Sequence, residues 1–247
     1  MSAMPTHAMV FAAGLGTRMR PLTNDRPKAL VEVDGRCLVD HMLDRLAEAG
    51  VSTAVVNSFH FAEKLVAHLT PRSTDAPKLI FSREDALPEP LETEGGLVHA
   101  LHHFPDGPLL TCNADAIWLD GTAVKRMAEA FDPERMDGLL LLARLDEALG
   151  FDGPGDFFMD EAGRLTRRGD AASAPYAYAG VQITTKARFE GKTATKRSLA
   201  RTWFDDWSPK GRLYGLVLNG PWLHVGDPQA RLDAETKLQA LRASTQA

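Results

Sequence analysis

Short apolar runs alternate with helix-period segments through the first 145 residues, the pattern of a mostly parallel sheet covered by helices. Residues 7–12, 53–57, 78–82, 109–112 and 139–142 read as strands. Leu38, Met42 and Leu46 form the apolar stripe of one helix, which Gly50 stops, and Phe61, Leu65 and Leu69 form that of another. Further helices are predicted over 95–103 and 124–131. Beyond Gly150 the period shortens. Residues 156–159, 164–167 and 177–184 read as short strands between turn residues, which suggests antiparallel additions to the sheet. Asp227 before Pro228 has the form of an N-cap and first helical residue, opening a final helix with Leu232, Leu238 and Leu241. No fixed-period repeat or long linker interrupts the chain. The expected fold is α/β: a Rossmann-like, mixed but mostly parallel sheet with helices on both faces and a small antiparallel addition.

Composition narrows the function without naming it. The 247 residues carry 28 basic and 33 acidic side chains, a formal charge of -5, with 44% hydrophobic and 25% charged residues. These values suit a soluble globular domain. They argue against a nucleic-acid partner, which would call for a basic footprint, but leave room for a small phosphate ligand held by a few cations. Cys37 and Cys112 are the only cysteines, too few for a disulfide framework or a four-ligand zinc site, and a reduced cytoplasmic setting is expected. The apolar stretches around residues 8–13 and 139–142 are too short for a signal peptide or a membrane span, so no membrane partner is expected.

The most informative stretch is Ala12-Ala13-Gly14-Leu15-Gly16-Thr17-Arg18-Met19-Arg20-Pro21-Leu22-Thr23, closing with Pro27-Lys28. A glycine loop directly after a first strand can bring backbone N–H groups against phosphate oxygens, and Arg18 and Lys28 supply the matching charge. Met19 stands where a dinucleotide fingerprint has its third glycine, and no Gly-Lys-Ser/Thr follows, so neither the dinucleotide nor the P-loop template fits. Asp115 lies just past a predicted strand end, the edge where open α/β sheets bind ligands. A carboxylate there can hold Mg²⁺ together with phosphate oxygens. Other residues carry less. His99, His102 and His103 lack a carboxylate or cysteine at ligand spacing and read as a partly solvated helix face. Lys192, Lys196 and Arg197 read as a wet basic surface, and Trp203, Trp207 and Trp222 as core or lid packing.

Over Ala12 to Lys28 the sequence resembles the sugar-1-phosphate nucleotidyltransferases, whose signature is a strand, Gly-x-Gly-Thr-Arg, Pro-Leu-Thr and a Pro-Lys about ten residues beyond the arginine. Four further stretches follow in the order found in the short bacterial branch, which includes the N-acetylmuramate-1-phosphate uridylyltransferases. They are Glu89-Pro90-Leu91-Glu92-Thr93-Glu94-Gly95-Gly96, Asn113-Ala114-Asp115, Gly155-Asp156-Phe157 and Trp222-Leu223-His224-Val225-Gly226. The resemblance covers almost the whole chain. It implies one nucleotidyltransferase domain over 1–247 of the nucleotide-diphospho-sugar transferase type, with 1–145 binding the NTP and 146–247 holding the sugar and the C-terminal helix.

The implied reaction joins an NTP, with UTP favoured, to a sugar 1-phosphate, with N-acetylmuramate 1-phosphate favoured, and releases pyrophosphate. In it Arg18 and Lys28 are the catalytic cations. Ala13, Gly14, Gly16, Thr17 and Arg18 hold the phosphates, and Thr93 and Gly95 the base and ribose. Asn113, Asp156 and Gly180 meet the sugar, and Asp115 holds Mg²⁺, with Mn²⁺ as the alternative ion. The family's second metal aspartate is replaced by His224, whose imidazole suits a transition ion better than Mg²⁺; phosphate contact, ligation of a softer metal and packing beside Trp222 are the roles open to it. Glu94 stands where the family has glycine or alanine, either narrowing the base site or pointing to solvent. Rival readings are a mannose-1-phosphate guanylyltransferase, a choline-phosphate cytidylyltransferase of the same fold, and a nucleotide-sugar binding module without turnover. The final helix leaves no room for the left-handed β-helix of larger relatives, so a monomer or small homo-oligomer is expected.

Overall fold

The structure, a computed structural model, describes residues 4–74 and 77–245. In chain order its elements are β1 (His7–Phe11), β2 (Glu32–Val33), β3 (Arg36–Cys37), α1 (Leu38–Ala49), β4 (Thr53–Ser58), α2 (Ala62–Leu69), β5 (Lys78–Arg83), α3 (Glu92–Ala100), β6 (Pro108–Asn113), β7 (Ala116–Trp118) and α4 (Ala123–Ala130). There follow β8 (Gly138–Arg144), β9 (Ala148–Leu149), β10 (Phe157–Met159), β11 (Leu165–Arg167), β12 (Tyr176–Thr185), α5 (Leu199–Thr202), β13 (Leu213–Val217), β14 (Trp222–His224) and α6 (Pro228–Thr245).

The main sheet runs β11-β10-β12-β6-β1-β4-β5, with β8 pairing both β12 and β13. The pairs β1–β4, β1–β6, β4–β5 and β8–β13 are parallel, whereas β12 is antiparallel to β6 and β8. Three short strands form a second sheet, β7-β14-β9. The mixed, mostly parallel sheet expected from the sequence is therefore present. Strands β10 to β13 join the main sheet rather than forming a separate unit, because β12 lies between β6 and β8.

Alternation along each strand explains why both faces are covered. In β1, Ala8 and Val10 face a core shared with Leu43 and Leu46 of α1 and Leu65 of α2, while Met9 faces Leu97 and Ala100 of α3. The same split divides β8, where Leu139 and Leu141 join the first core and Leu140 and Leu142 the second, beneath Trp203 and Trp207. A third cluster, with Met19, Val31, Leu38, Ile117, Leu223 and Ala234, fixes the phosphate loop and the small sheet against α6.

Several boundaries move. The helix expected over 95–103 begins at Glu92, and residues 101–103 tighten into a 3₁₀ turn. The last helix starts as expected, with Asp227 Oδ1 accepting the Ala230 N–H at 2.9 Å. Its buried face, however, is Ala230, Ala234 and the partly buried Leu238, while Leu232 is exposed. The two-residue strands β2, β3 and β9 and the short β7 and β14 carry too few residues to show a period. Among the described residues no helix is long and apolar enough to cross a membrane.

Leu141 is fully buried at the centre of β8. Leu141→Ala should destabilise the protein by about 2–5 kcal/mol, read as a lower midpoint in urea unfolding; an unchanged midpoint would contradict its central place in the core.

Candidate active site

The site forms at the carboxyl ends of β1 and β6, where the parallel part of the sheet opens into loops. Phe11 lies opposite Asn113 in the ladder, so the segment after β1 and the segment after β6 leave the sheet side by side. Between them is a cavity of about 550 Å³, walled by Ala12, Ala13, Gly14, Gly16, Thr17, Arg18 and Lys28 on one side and by Asn113, Ala114 and Asp115 on another. Glu89, Pro90, Glu92, Thr93 and Lys196 close a third side.

The phosphate loop is shaped by its own sequence. Gly16 has φ +62° and opens a 3₁₀ turn over Thr17–Met19. The buried Thr23 hydroxyl donates to the Gly16 carbonyl at 2.8 Å, and the fully buried Met19 anchors the turn below. Leu15 at the tip is exposed. The Pro-Leu-Thr of the motif thus has a local task, because Thr23 fixes the loop that precedes it. Lys28, at the start of a 3₁₀ turn whose Ala29 and Leu30 are buried, reaches across the cavity and donates from Nζ to Asp115 Oδ2 at 2.9 Å. The side chains are 15% and 29% exposed, a partly desolvated ion pair open to a ligand on one side.

Electrostatics at this corner are dominated by that pair. Burial is the largest influence on the Asp115 carboxyl and works to raise it, but the Lys28 ammonium, the neighbouring His224 and the hydrogen bonds it accepts together hold the group below its ordinary 3.8. His224 is next to it, since Ala116 and His224 are opposed in the β7–β14 pair and the Val225 N–H donates to the Asp115 carbonyl. Burial pushes the His224 imidazole below its usual value, against the pull of Asp115. The ring packs on Trp222 and Phe151, with centroids 5.2 and 5.9 Å away. Asp227, the other nearby carboxylate, caps α6.

The remaining expected residues divide. Thr93 is on the cavity wall, and its Oγ1 also accepts the Leu199 N–H at 2.8 Å. Gly95 is buried behind the wall. Its N–H donates to the Arg197 carbonyl at 3.1 Å, and a Cβ at this position would strike the Thr195 carbonyl. Asp156 Oδ2 accepts the Tyr178 N–H at 2.8 Å at the bulge of β12, and Gly180, φ +87°, packs its Cα face on Asn113; neither lines this cavity.

Glu94 neither narrows the site nor points to solvent. Its side chain is 6% exposed and is held by Lys192 at 2.9 Å, by Arg197 and by the Thr202 hydroxyl. The basic cluster read as a wet surface is therefore mostly a brace, because two of its three cations close over a carboxylate in α3. The third, Lys196, pairs with Glu89 at 2.5 Å on the cavity rim. In the 3₁₀ turn after α3, His102 is exposed and His103 half-buried, the partly solvated surface expected, with their rings tilted against each other. Trp203, Trp207 and Trp222 are buried.

Sequence reading also missed Asn57, near the end of the buried β4, and Glu84, just beyond the end of the edge strand β5, which lie at and beneath the cavity wall. Their only signal was polarity at the ligand-binding edge of an apolar run.

Among the described residues, the single group of three side chains whose ligand atoms converge is Cys37, Asp40 and His68, away from this cavity. Burial raises the Cys37 thiol to about 11, and its Sγ donates to the Leu30 carbonyl, which argues against thiolate ligation.

A glycine-rich phosphate cradle, two cations and a facing carboxylate at the open edge of an α/β sheet define a nucleotide-handling enzyme of the nucleotidyltransferase type. Residues 8–148 match the MobA-like NTP transferase domain family, and the chain belongs to it. It is similar to an N-acetylmuramate alpha-1-phosphate uridylyltransferase of Caulobacter vibrioides, 48% identical over 96% of this chain and 99% of that protein. An enzyme of the same description from Neisseria meningitidis serogroup B is 31% identical over 89% of this chain and 92% of that protein. In fold it is similar to HddC from Yersinia pseudotuberculosis complexed with GMP-PN, with TM-score 0.74 and 21% identity over 94% of this chain and 99% of that one.

The Lys28–Asp115 pair yields a pH prediction. Because the folded Asp115 carboxyl is held below its ordinary value, its stabilising contribution is present above 3.8 and is lost as pH falls through the lower folded value. Asp115→Asn should melt below the parent protein at neutral pH, and the two curves should converge as pH drops past 3.8. A gap in melting temperature that stays constant with pH would count against the pair.

Proposed function

We propose that this chain transfers a uridylyl group from UTP to N-acetylmuramate 1-phosphate, giving a UDP-sugar and pyrophosphate. The observation that carries the reaction class is the meeting of Lys28 and Asp115 at 2.9 Å in the cavity that the glycine loop walls. The substrate pair is supported by the 48% identity to the Caulobacter vibrioides uridylyltransferase over 96% of this chain. The chain works as one domain, residues 1–145 holding the nucleotide and 146–247 the sugar and the last helix. The two buried free cysteines suit a reducing cytoplasmic compartment.

Two polyanions must meet in line, so the protein supplies positioning and charge rather than a nucleophile of its own. The N–H groups of Gly14, Gly16 and Thr17 cradle the β- and γ-phosphates, with Arg18 beside them. Lys28 turns from Asp115 to the phosphate at the reacting centre. The sugar phosphate oxygen attacks the α-phosphorus, the bond to the β-bridging oxygen breaks, and its electron pair leaves with pyrophosphate. Cations aimed at the charge on the leaving oxygens lower the barrier. Asn113 orients the sugar phosphate, and Asp156 and Gly180 shape the sugar side. Thr93 meets the base and ribose, while Gly95 lets the brace pack close behind it.

The donor set suits Mg²⁺. Asp115 offers one hard carboxylate facing the cavity, and Mg²⁺ is usually held by one or two carboxylates together with substrate phosphates. When bound, the ion neutralises charge on the triphosphate. The buried imidazole of His224 is the nearby nitrogen that would favour Mn²⁺.

Purified protein given UTP, N-acetylmuramate 1-phosphate and Mg²⁺ should release pyrophosphate. GTP with mannose 1-phosphate, and CTP with choline phosphate, should release far less. Pyrophosphate from those pairs instead would reassign the substrate, and tight nucleotide binding with no pyrophosphate from any pair, under Mg²⁺ or Mn²⁺, would make the protein a binding module. Lys28→Ala and Asp115→Ala should each lower turnover by about 10²–10⁴-fold with circular dichroism unchanged; parental rates in both would refute their roles.

A further inference from the structure

The geometry points to Asn57 and Glu84 as a buried positioning pair that sets the phosphate loop and the base loop at one fixed separation, so that both ends of a nucleoside triphosphate meet a preformed site. The inference rests on the nucleotide reading above and extends it to two side chains outside the motif residues.

The β1–β4 ladder pairs Val10 with Val56 and goes no further. The Ala12 N–H, at the entrance to the phosphate loop, is taken by a side chain, with Asn57 Oδ1 accepting at 2.7 Å. A backbone N–H can only donate, so the oxygen of the Asn57 amide must face it, and the NH₂ is left to point the other way. There it donates from Nδ2 to Glu84 Oε1 at 2.8 Å. The other carboxylate oxygen of Glu84 accepts the Leu91 N–H at 3.0 Å. Leu91 immediately precedes α3, whose first residues Glu92 and Thr93 line the cavity. A continuous chain of hydrogen bonds thus runs from one jaw of the site to the other across the ends of two adjacent strands.

Three features mark this chain as more than ordinary packing. Asn57 and Glu84 are 2% and 0% exposed, and among the described residues no lysine or arginine is paired with Glu84. A carboxylate without a cation is an expensive way to fill a core position that an apolar side chain would fill. Glu92, directly after the anchored Leu91, holds the left-handed conformation at φ +62°, which L-residues avoid, so this turn depends on restraint from its neighbours. Position 96 is glycine where a Cβ would come within 2.9 Å of both Asn57 Nδ2 and Glu84 Oε1, so α3 rests directly on the pair.

The polarity of the chain makes a sharp test possible. Glu84 is faced by two donors, so Glu84→Gln can satisfy only one of them. Asn57→Asp keeps the bond to Ala12 but sets two carboxylates against each other. In the double variant every bond returns with its direction reversed in the middle: the new carboxylate at 57 accepts from Ala12 and from the new amide at 84, whose oxygen accepts from Leu91. Net charge is that of the parent.

Calorimetry with UTP, and separately with N-acetylmuramate 1-phosphate, should show each single substitution weakening nucleotide binding by about tenfold or more, with sugar-phosphate binding changed less than about threefold and the double variant back within about threefold of the parent. Single variants that bind UTP as the parent does would overturn the inference. So would a double variant no better than the worse single one in affinity or, should the single variants fail to fold, in folding, and so would equal losses for both ligands. A parent protein that binds none of UTP, GTP or CTP would instead sink the nucleotide reading itself, and this inference with it.

Discussion

Two phosphate-bearing substrates can be brought into line only over a cluster of positive charge, and such a cluster can be kept partly desolvated in the free protein only if something negative balances it. Here that balance is a single contact, Lys28 Nζ to Asp115 Oδ2 at 2.9 Å. Lys28 arrives from the loop after β1 and Asp115 from the segment after β6, 87 residues later. The contact therefore exists only because those strands are parallel neighbours with Phe11 opposite Asn113. The rest of the fold can be understood as holding this meeting point steady, with two apolar faces clamping β1 and the third cluster locking Met19 beneath the loop. The pair is only partly buried, with side chains 15% and 29% exposed, so one side of it stays open to the cavity.

Much of the architecture was legible because it rests on short-range pattern. The five strand readings of the first half, the stripe of α1 with its stop at Gly50, and the Asp227 cap all recur in the structure. These elements either have a long buried face or carry a local capping signal. What escaped notice had neither. The two-residue strands around 32–37 and at 148–149 depend on partners elsewhere, and β14 finds β7 and β9 only after the chain has closed on itself. The misjudged face of α6 has a related cause. Leucine periodicity suggested Leu232 inside, but close packing on the small sheet selects the alanines at 230 and 234 and leaves that leucine exposed.

The site was legible to the same depth. Residues that share one loop, such as Gly16, Arg18 and Thr23, are close in sequence, and their spacing forms a readable motif. Residues that act by bridging are scattered. Asn57 reaches Ala12 over 45 positions and Glu84 over 27, and Glu94 is held by Lys192 and Arg197 about a hundred positions away. No local window distinguishes these from surface polar residues. Charge type alone was misleading for Lys192 and Arg197, whose buried partner was invisible until the fold placed it.

Residues 1–145 and 146–247 are bound together at the start of α3 and at β12. From below, the carboxylate of Glu84 fixes the residue before α3. From the side, the carbonyl of Arg197 takes the N–H groups of Glu94 and Gly95, and Lys192, Arg197 and Thr202 converge on the Glu94 carboxylate. One contact comes from residues 1–145 and the other from residues 146–247. The pairing of Val181 with Cys112 repeats the arrangement inside the sheet, because it sets Gly180 against Asn113, directly beside the segment that delivers Asp115. A displacement of residues 146–247 would therefore strain the start of α3 and the Asn113–Asp115 segment together. This is the mechanical condition for in-line transfer, in which an error of about 1 Å between the reacting groups can cost orders of magnitude in rate.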